Sequence, residues 1–334
     1  MSSPGLMKIQ NPPLDCISRV RFSAQASSGN LLVSSWDAHV RLYDVRQGAL
    51  LGIQQRGLPV LDCCFMDEPA RAVSVGLDRR VVCWDFAGQQ ELALGAHEDA
   101  ARCVEFDPAS RLIITGSWDR TLRAWDTRQR AGAITIVDVG CKVFSLDVGV
   151  NRVAMAGSDR RIQIFDLRRL DSPFESRESG LKHQLRCVKI SRDQRSYASG
   201  SVEGRVAIEY FAGDENQQQK YAFKCHRAKA PSGDEVIHPV NAISFHPVYG
   251  TFATGGSDGG VCVWDGYAKK RLCRLSPFDT SVSSLCFSGD GTMLAIGVSY
   301  TFDAGEQPQT PSPQLIVRRV DDTEVMPKSK VAER

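Results

Sequence analysis

The sequence points to an all-β chain, a single seven-bladed β-propeller whose ring is closed by an N-terminal strand. Three features lead there. Six segments of one pattern recur (SSWDAHVRLYD, GLDRRVVCWD, GSWDRTLRAWD, GSDRRIQIFD, GSVEGRVAIEY, GGSDGGVCVWD), aligned on Asp37, Asp78, Asp119, Asp159, Glu203 and Asp258 at spacings of 41, 41, 40, 44 and 55 residues. Seven alternating apolar segments accompany them: ISRVRFS, VLDCCFM, RCVEFDP, FSLDVGV, RCVKIS, VNAISFHP and VSSLCFS. An apolar stretch near the start, GLMKIQ, belongs to none of these units. A period near 40 built from a small-residue strand, an acidic turn and a strand ending in Trp-Asp or a relative is the WD-repeat signature, one four-stranded blade per unit.

Taken in order, blades 1 and 2 each place two alternating strands around an aspartate turn, at Asp37 and Asp78. Blade 3 repeats this and adds His97, Thr115, Asp119 and Trp125, at the spacing of the buried hydrogen-bonded network that braces many such blades. Blade 4 follows with GSDRRIQIFD. Blade 5 keeps the Val206/Ile208 alternation and an acidic turn residue, Glu203. It has Glu209 and Tyr210 where blade 3 has Trp125 and Asp126, so it is expected to lack that network. Blade 6 returns to the standard pattern. Blade 7 is irregular: TMLAIGVSY, a loop TFDAGEQPQTPSP, then PQLIVRRV, with no fourth strand. An unpaired edge invites aggregation, so GLMKIQ is expected to supply the missing outer strand. The propeller is assigned to residues 6–320 and a polar tail to residues 321–334.

At 334 residues, 42% hydrophobic and 24% charged, the chain can bury a large core. A net charge of +2 provides no bulk attraction to nucleic acid or to an anionic membrane, so charge-driven recognition has to be local. Neither direct nucleic-acid binding nor membrane association is expected, and no signal segment or long apolar run is present. The eleven cysteines contain no C-x-x-C pair, and Cys63, Cys103, Cys187 and Cys286 fall at nearly equivalent places in strand-like segments. They read as small buried hydrophobes in a reducing compartment. Six scattered histidines match no nucleophile or metal motif, and Gly255-Gly256 leads into a turn and not a helix, so no enzyme activity, metal or cofactor is expected.

Function must then come from surface residues. In a WD blade the turn between strands b and c and the connection from d to the next a lie on one face, here called the top. In blade 5, Arg186 starts strand a, Arg205 starts strand c and Arg227 ends strand d. All three reach this face with no obvious acidic partner, flanked by Lys224 and Lys182. Such a cluster suits a phosphate or a glutamate-bearing peptide. The alternative is that these arginines pair with blade carboxylates such as Glu203 and Glu209, or lie in solvent. Trp36 and Trp118 stand immediately before the turn aspartate, where other blades have Leu77, Ser158, Val202 and Ser257, and are expected to be exposed on the same face.

With these residues in hand, LLVSSWDAHVRLYDV, TGSWDRTLRAWD, RESGLKHQLRCV, EGRVAIEY, KYAFKCHR, PVNAISFHPVYGTFATGGSDGGV, KKRLC and LAIGVSYTFD together resemble the budding-uninhibited-by-benzimidazoles-three family of spindle-checkpoint proteins, from about Leu6 to Lys330. The resemblance implies a monomeric, non-enzymatic kinetochore adaptor found in nucleus and cytoplasm. It would bind the GLEBS motif of a checkpoint kinase or pseudokinase and phosphorylated Met-Glu-Leu-Thr motifs of a kinetochore scaffold. Carried over by motif, Trp36, Trp118 and Arg186 would meet the GLEBS segment, and Arg205, Arg227 and Lys224 the phosphothreonine. The related messenger-RNA export factor, which binds a nucleoporin GLEBS motif, shares EGRVAI and FKCHR. The SSWDAHVRLYD blade, the short lead segment and SYTFD are closer to the checkpoint branch. NQQQKYAF has few lysines, and RAKAPSGDEVIHPVN reads as a Gly/Pro-bearing loop, weakening the electrostatic support around Arg227. WDTR, Trp125 to Arg128, also resembles the adaptor-docking motif of cullin-ligase substrate receptors, though YDVR and FDLR repeat it here. TPSP, with Thr310 and Ser312, resembles a proline-directed phosphorylation site, and PKSK, Pro327 to Lys330, a nuclear-entry element.

Overall fold

The computed structural model describes residues 5–25, 28–129 and 132–328. Seven four-stranded antiparallel sheets form the blades, each in chain order a-b-c-d except the last. Blade 5 is representative: Leu185–Ile190, Ser196–Ser201, Arg205–Tyr210 and Tyr221–Lys224. The seven a strands contact one another in a closed ring around the axis. Strands b are covered on both faces by adjoining blades, which explains their small residues. A Cβ added at Gly200 would lie 2.8 Å from Cys187 Sγ and 2.9 Å from Val240 Cγ1 of the next blade.

Blade 7 closes the ring as the free apolar segment predicts. Leu6–Lys8 pairs antiparallel with Gln314–Arg319 in the register Leu6↔Arg318, Met7↔Val317, Lys8↔Ile316. The outer edge of the last blade is therefore filled by the start of the chain, joining the two ends through main-chain hydrogen bonds.

The chain beyond residue 320 is not simply polar. Asp322–Val325 forms one helical turn with a capping box between Asp321 and Glu324. Val325 and Met326 are buried, and Thr251 Oγ1 donates to the Val325 carbonyl at 2.7 Å. This turn anchors the chain on blade 6, and only residues 329–334 of the segment read as a tail, including part of PKSK, lie outside the described residues.

All seven a strands share one irregularity that sequence periodicity does not reveal. Register slips at the second residue of each, leaving Ser18, Leu61, Arg102, Phe144, Arg186, Asn241 and Ser283 unpaired with strand b. Each is a β-bulge, which re-aims its side chain at the rim of the ring.

Below this rim the inner strands hold a buried ionic network. Arg19 Nε lies 2.8 Å from Asp62 Oδ1, and Glu105 pairs with Arg21 and with Lys189 Nζ at 3.1 Å, while Lys189 also meets Asp147. Burial, with Arg21 nearby, pushes the Lys189 ammonium down to about 8, against the pull of Asp147. Three cations and three carboxylates from blades 1 to 5 thus neutralise one another, the condition under which buried charge is tolerated. The eleven cysteines are all free and most are buried, and burial pushes the Cys63 and Cys103 thiols up to about 12, leaving them unreactive.

Candidate peptide-binding face

Turn geometry sets the face. The b–c turn amides of Trp36, Trp118 and Val202 donate to the carbonyls of Cys16, Ala100 and Gln184 in the connection leading into strand a, at 2.9, 3.0 and 3.0 Å. These hydrogen bonds bring the two kinds of turn together, and with them the residues singled out from the sequence.

The structure divides those residues into two neighbouring subsites. Trp36, Trp118 and Arg186 line a cavity of about 260 Å³ at the mouth of the ring, with the bulge residues Ser18, Arg102 and Asn241. Trp36 is 43% exposed, as expected, whereas Trp118 is half-buried with the Lys142 ammonium 5.7 Å from its ring. Trp118 Nε1, Arg186 Nε and Asn241 Oδ1 are buried polar atoms with no hydrogen-bond partner among the described residues. Such atoms cost stability unless a ligand uses them. Asn241 was invisible to pattern reading. Its amide is oriented by Ser257 Oγ at 2.9 Å and the Val282 carbonyl at 3.1 Å.

The second subsite is on blade 5. Arg205 is the register partner of Lys224 across strands c and d. Arg227 does not end strand d, which stops at Lys224; it opens a separate two-stranded hairpin, Arg227–Lys229 with Glu235–Ile237. The Gly/Pro-bearing segment read as a loop is this hairpin, because Pro231 and Ser232 form a tight turn closed by the Gly233 amide donating to the Ala230 carbonyl at 2.9 Å, with Gly233 following at φ +92°. Arg227 Nη2 donates to the Glu203 carbonyl at 2.7 Å and Nε to the Gly204 carbonyl at 3.4 Å. The guanidinium is thereby tied to the turn that precedes Arg205. Lys182, expected to flank the cluster, is exposed.

Two further features hold this turn. Gly204 has φ of +62°, and a Cβ there would sit 2.8 Å from the Cys225 carbonyl oxygen. His226, the residue before Arg227, belongs to a network in blade 6: its Nδ1 pairs with Asp258 Oδ1 and its Nε2 with Thr254 Oγ1, both at 2.8 Å, and Trp264 Nε1 donates to the same hydroxyl at 3.0 Å. Blade 3 shows the arrangement expected there, with His97 Nδ1 2.9 Å from Asp119, His97 Nε2 2.7 Å from Thr115 Oγ1 and Trp125 Nε1 donating to that hydroxyl at 2.8 Å. Read along the chain, FKCHR looked only like the end of blade 5; its histidine braces the next blade and so fixes Arg227.

The expectation that the arginines lack acidic partners is corrected. Arg186 pairs with Asp303 of the blade 7 loop, whose Oδ2 also accepts from Ser257 Oγ and Thr301 Oγ1, each at 2.5 Å. Arg227 Nη1 lies 2.6 Å from Glu235 Oε2, and Lys224 Nζ lies 3.3 Å from Glu235 Oε1. Neither Glu203 nor Glu209 fills this role: Glu203 offers Arg227 its main-chain oxygen, and Glu209 is buried, its carboxyl raised by that burial. No carboxylate pairs with Arg205 among the described residues, and its Nε is buried without a partner. Two of the three cations, Arg227 and Lys224, therefore share one carboxylate, Glu235, in a cavity also lined by Arg271, Arg274 and Asp258.

Other motifs have local structural uses. Arg128 clamps Asp126 at 2.7 Å, and Arg168 does the same to Asp166 at 2.5 Å, so the WDTR arginine makes a turn contact that recurs in the next blade. Thr310 and Ser312 are exposed in the blade 7 loop.

Seven WD blades carrying a basic, tryptophan-lined face define a WD-repeat β-propeller protein. The WD domain, G-beta repeat model matches residues 88–126 and 234–265. A solved structure described as that of U3-55K shares the fold, with a TM-score of 0.79 over 94% of this chain and 98% of that one at 17% identity. The chain is 47% identical to mitotic checkpoint protein BUB3.1 of Arabidopsis thaliana, over 97% of this chain and 95% of that protein. It is 40% identical to mitotic checkpoint protein bub-3 of Caenorhabditis elegans, over 98% and 97%. Protein Rae1 of Drosophila melanogaster is 34% identical, over 94% of each chain. The chain belongs to the BUB3 family of mitotic checkpoint proteins, with Rae1 and mRNA export factor GLE2 related at lower identity.

Proposed function

We propose that this protein is a spindle-checkpoint adaptor of kinetochores whose top face binds two short peptides. One is the GLEBS motif of a checkpoint kinase or pseudokinase, taken by Trp36, Trp118 and Arg186. The other is a phosphorylated Met-Glu-Leu-Thr motif of a kinetochore scaffold, taken by Arg205, Arg227 and Lys224. Both ligands would be otherwise disordered segments that order on binding. Activity would reside in the nucleus and cytoplasm and, in mitosis, at kinetochores.

The observation that supports this reading most is the charge of the blade 5 subsite. Arg227 and Lys224 share a single carboxylate and Arg205 pairs with none among the described residues, a surplus of positive charge that suits a phosphothreonine of charge near −2, and arginine suits the three phosphate oxygens because its donors form paired, charge-assisted bonds. Aromatic anchors beside unpaired buried donors supply the other subsite with both area and direction.

Calorimetric titration with phosphorylated and unphosphorylated Met-Glu-Leu-Thr peptides tests the phosphate half. Binding of the phosphorylated form alone is expected; equal affinity for the two refutes it. A pull-down from mitotic cells separates the remaining readings, since recovery of a checkpoint kinase supports this one. Recovery of a nucleoporin or a cullin-ligase adaptor in its place would redirect it to messenger-RNA export or to substrate reception.

A further inference from the structure

Arg227 makes two kinds of contact. Its Nη2 and Nε donate to main-chain carbonyls of the Glu203-Gly204 turn, at 2.7 and 3.4 Å, while Nη1 donates to Glu235 Oε2 at 2.6 Å. The first set holds the guanidinium in place whatever happens to Glu235. The second comes from the exposed strand Glu235–Ile237 of a hairpin whose packing is slight, and Lys224 Nζ sits almost evenly between the two Glu235 oxygens, at 3.3 and 3.4 Å. A fixed cation thus meets a replaceable anion. Hydrogen bonding from Arg227, then from Lys224, holds the Glu235 carboxyl below its ordinary value, so it is ionised at neutral pH.

We propose that Glu235 is an internal competitor. In the unliganded protein its carboxylate occupies the anion position beside Arg227 and Lys224, lowering the affinity of every external anion there, and a dianionic phosphate overcomes it where a carboxylate does not. The proposal rests on the phosphate reading of blade 5. A glutamate side chain from a partner would exchange one carboxylate for another and still bear the cost of ordering its peptide, while Glu235 is already tethered at high effective concentration. A phosphate brings a second charge and a third acceptor oxygen, enough to reach Arg205, which no carboxylate holds among the described residues. The effect is a threshold that keeps abundant acidic segments off the site.

The test uses the full chain and three probes: one peptide carrying phosphothreonine, glutamate or threonine at the same position. Glu235→Gln should bind the phosphothreonine and glutamate peptides more tightly than wild type by the same factor, about two- to tenfold for exposed ion pairs. Its affinity for the threonine peptide should not change. Asp234→Asn removes a neighbouring charge whose carboxylate faces Ser232, and should change none of the three. The competitor is overturned if Glu235→Gln binds the phosphothreonine peptide no better than wild type, or worse, as it would if Glu235 merely oriented Arg227. An equal gain in Asp234→Asn overturns it as well, because bulk charge would then account for the effect. If wild type fails to separate phosphothreonine from threonine, the phosphate reading itself falls and takes this inference with it.

Discussion

Arg205→Ala removes a cation of the blade 5 subsite that pairs with no carboxylate among the described residues. Its guanidinium meets no carboxylate among the described residues and its Nε is buried without a partner, so truncation relieves an unpaired donor and breaks no bridge. The melting temperature should stay the same or rise slightly. Binding should respond sharply, because Arg205 is the one of the three proposed phosphate ligands that no carboxylate already holds among the described residues. Losing charge-assisted contacts to a phosphate costs about 1.5–3 kcal/mol, or roughly 10- to 150-fold in Kd. Calorimetry with phosphorylated and unphosphorylated Met-Glu-Leu-Thr peptides, at low and at physiological salt, reads this directly. The loss should appear in the phosphorylated peptide only, and the remaining affinity should depend less on salt. An equal loss in both peptides, or none in the phosphorylated one, would refute the reasoning.

Trp36→Ala should impair a GLEBS peptide while leaving phosphopeptide affinity and the melting temperature unchanged, since the ring is 43% exposed and lines only the axial cavity; pull-down and calorimetry together check this. Gly204→Ala places a Cβ at φ +62° and 2.8 Å from the Cys225 carbonyl, costing about 1–2 kcal/mol in backbone strain. It should lower both the melting temperature and phosphopeptide affinity, since Arg227 is tied to that turn. Acid should destabilise the fold through His97, whose pKa burial lowers below 6.5 despite the Asp119 hydrogen bond. As pH falls below 6.5 the unfolded chain takes up a proton that the folded histidine refuses, so stability is lost. Asp119 adds to this below its ordinary value of 3.8, because hydrogen bonds from His97 and Thr121 outweigh its burial and keep it ionised when folded. Thermal melts from pH 7.5 to 5 should show a smaller decline for His97→Gln than for wild type.

Much of the fold was legible because its determinants are local. Alternation with period two, the acid in each b–c turn and the recurrence near 40 residues are set by the backbone and by packing that repeats from blade to blade. The closing strand was legible for a related reason: blade 7 lacked a partner, and GLMKIQ was the one apolar segment without a place. The candidate cations and tryptophans of the top face were picked out from blade topology and from resemblance. Their partners were not. Asp303 lies 117 residues from Arg186 in sequence, so it could not be assigned before the ring was closed, and Glu235 sits in a segment that reads as a loop and not as the hairpin that brings it to Arg227.

The same holds for the features that hold the site in shape. Arg186 reads as a top-face residue at the start of strand a, and only the pairing register shows the bulge at its position beside the axial cavity. His226 looks like the end of one blade, and only the packing of blade 5 on blade 6 gives it Asp258 and Thr254. Arg19, Arg21, Asp62, Glu105, Asp147 and Lys189 read as scattered polar positions in alternating strands until the inner strands meet around one axis. Periodicity within a blade therefore specified the architecture and the turns. The carboxylate that holds Arg186 was decided by the meeting of distant blades and the one that holds Arg227 and Lys224 by a local hairpin, because charge pairing depends on distances that only the folded chain sets.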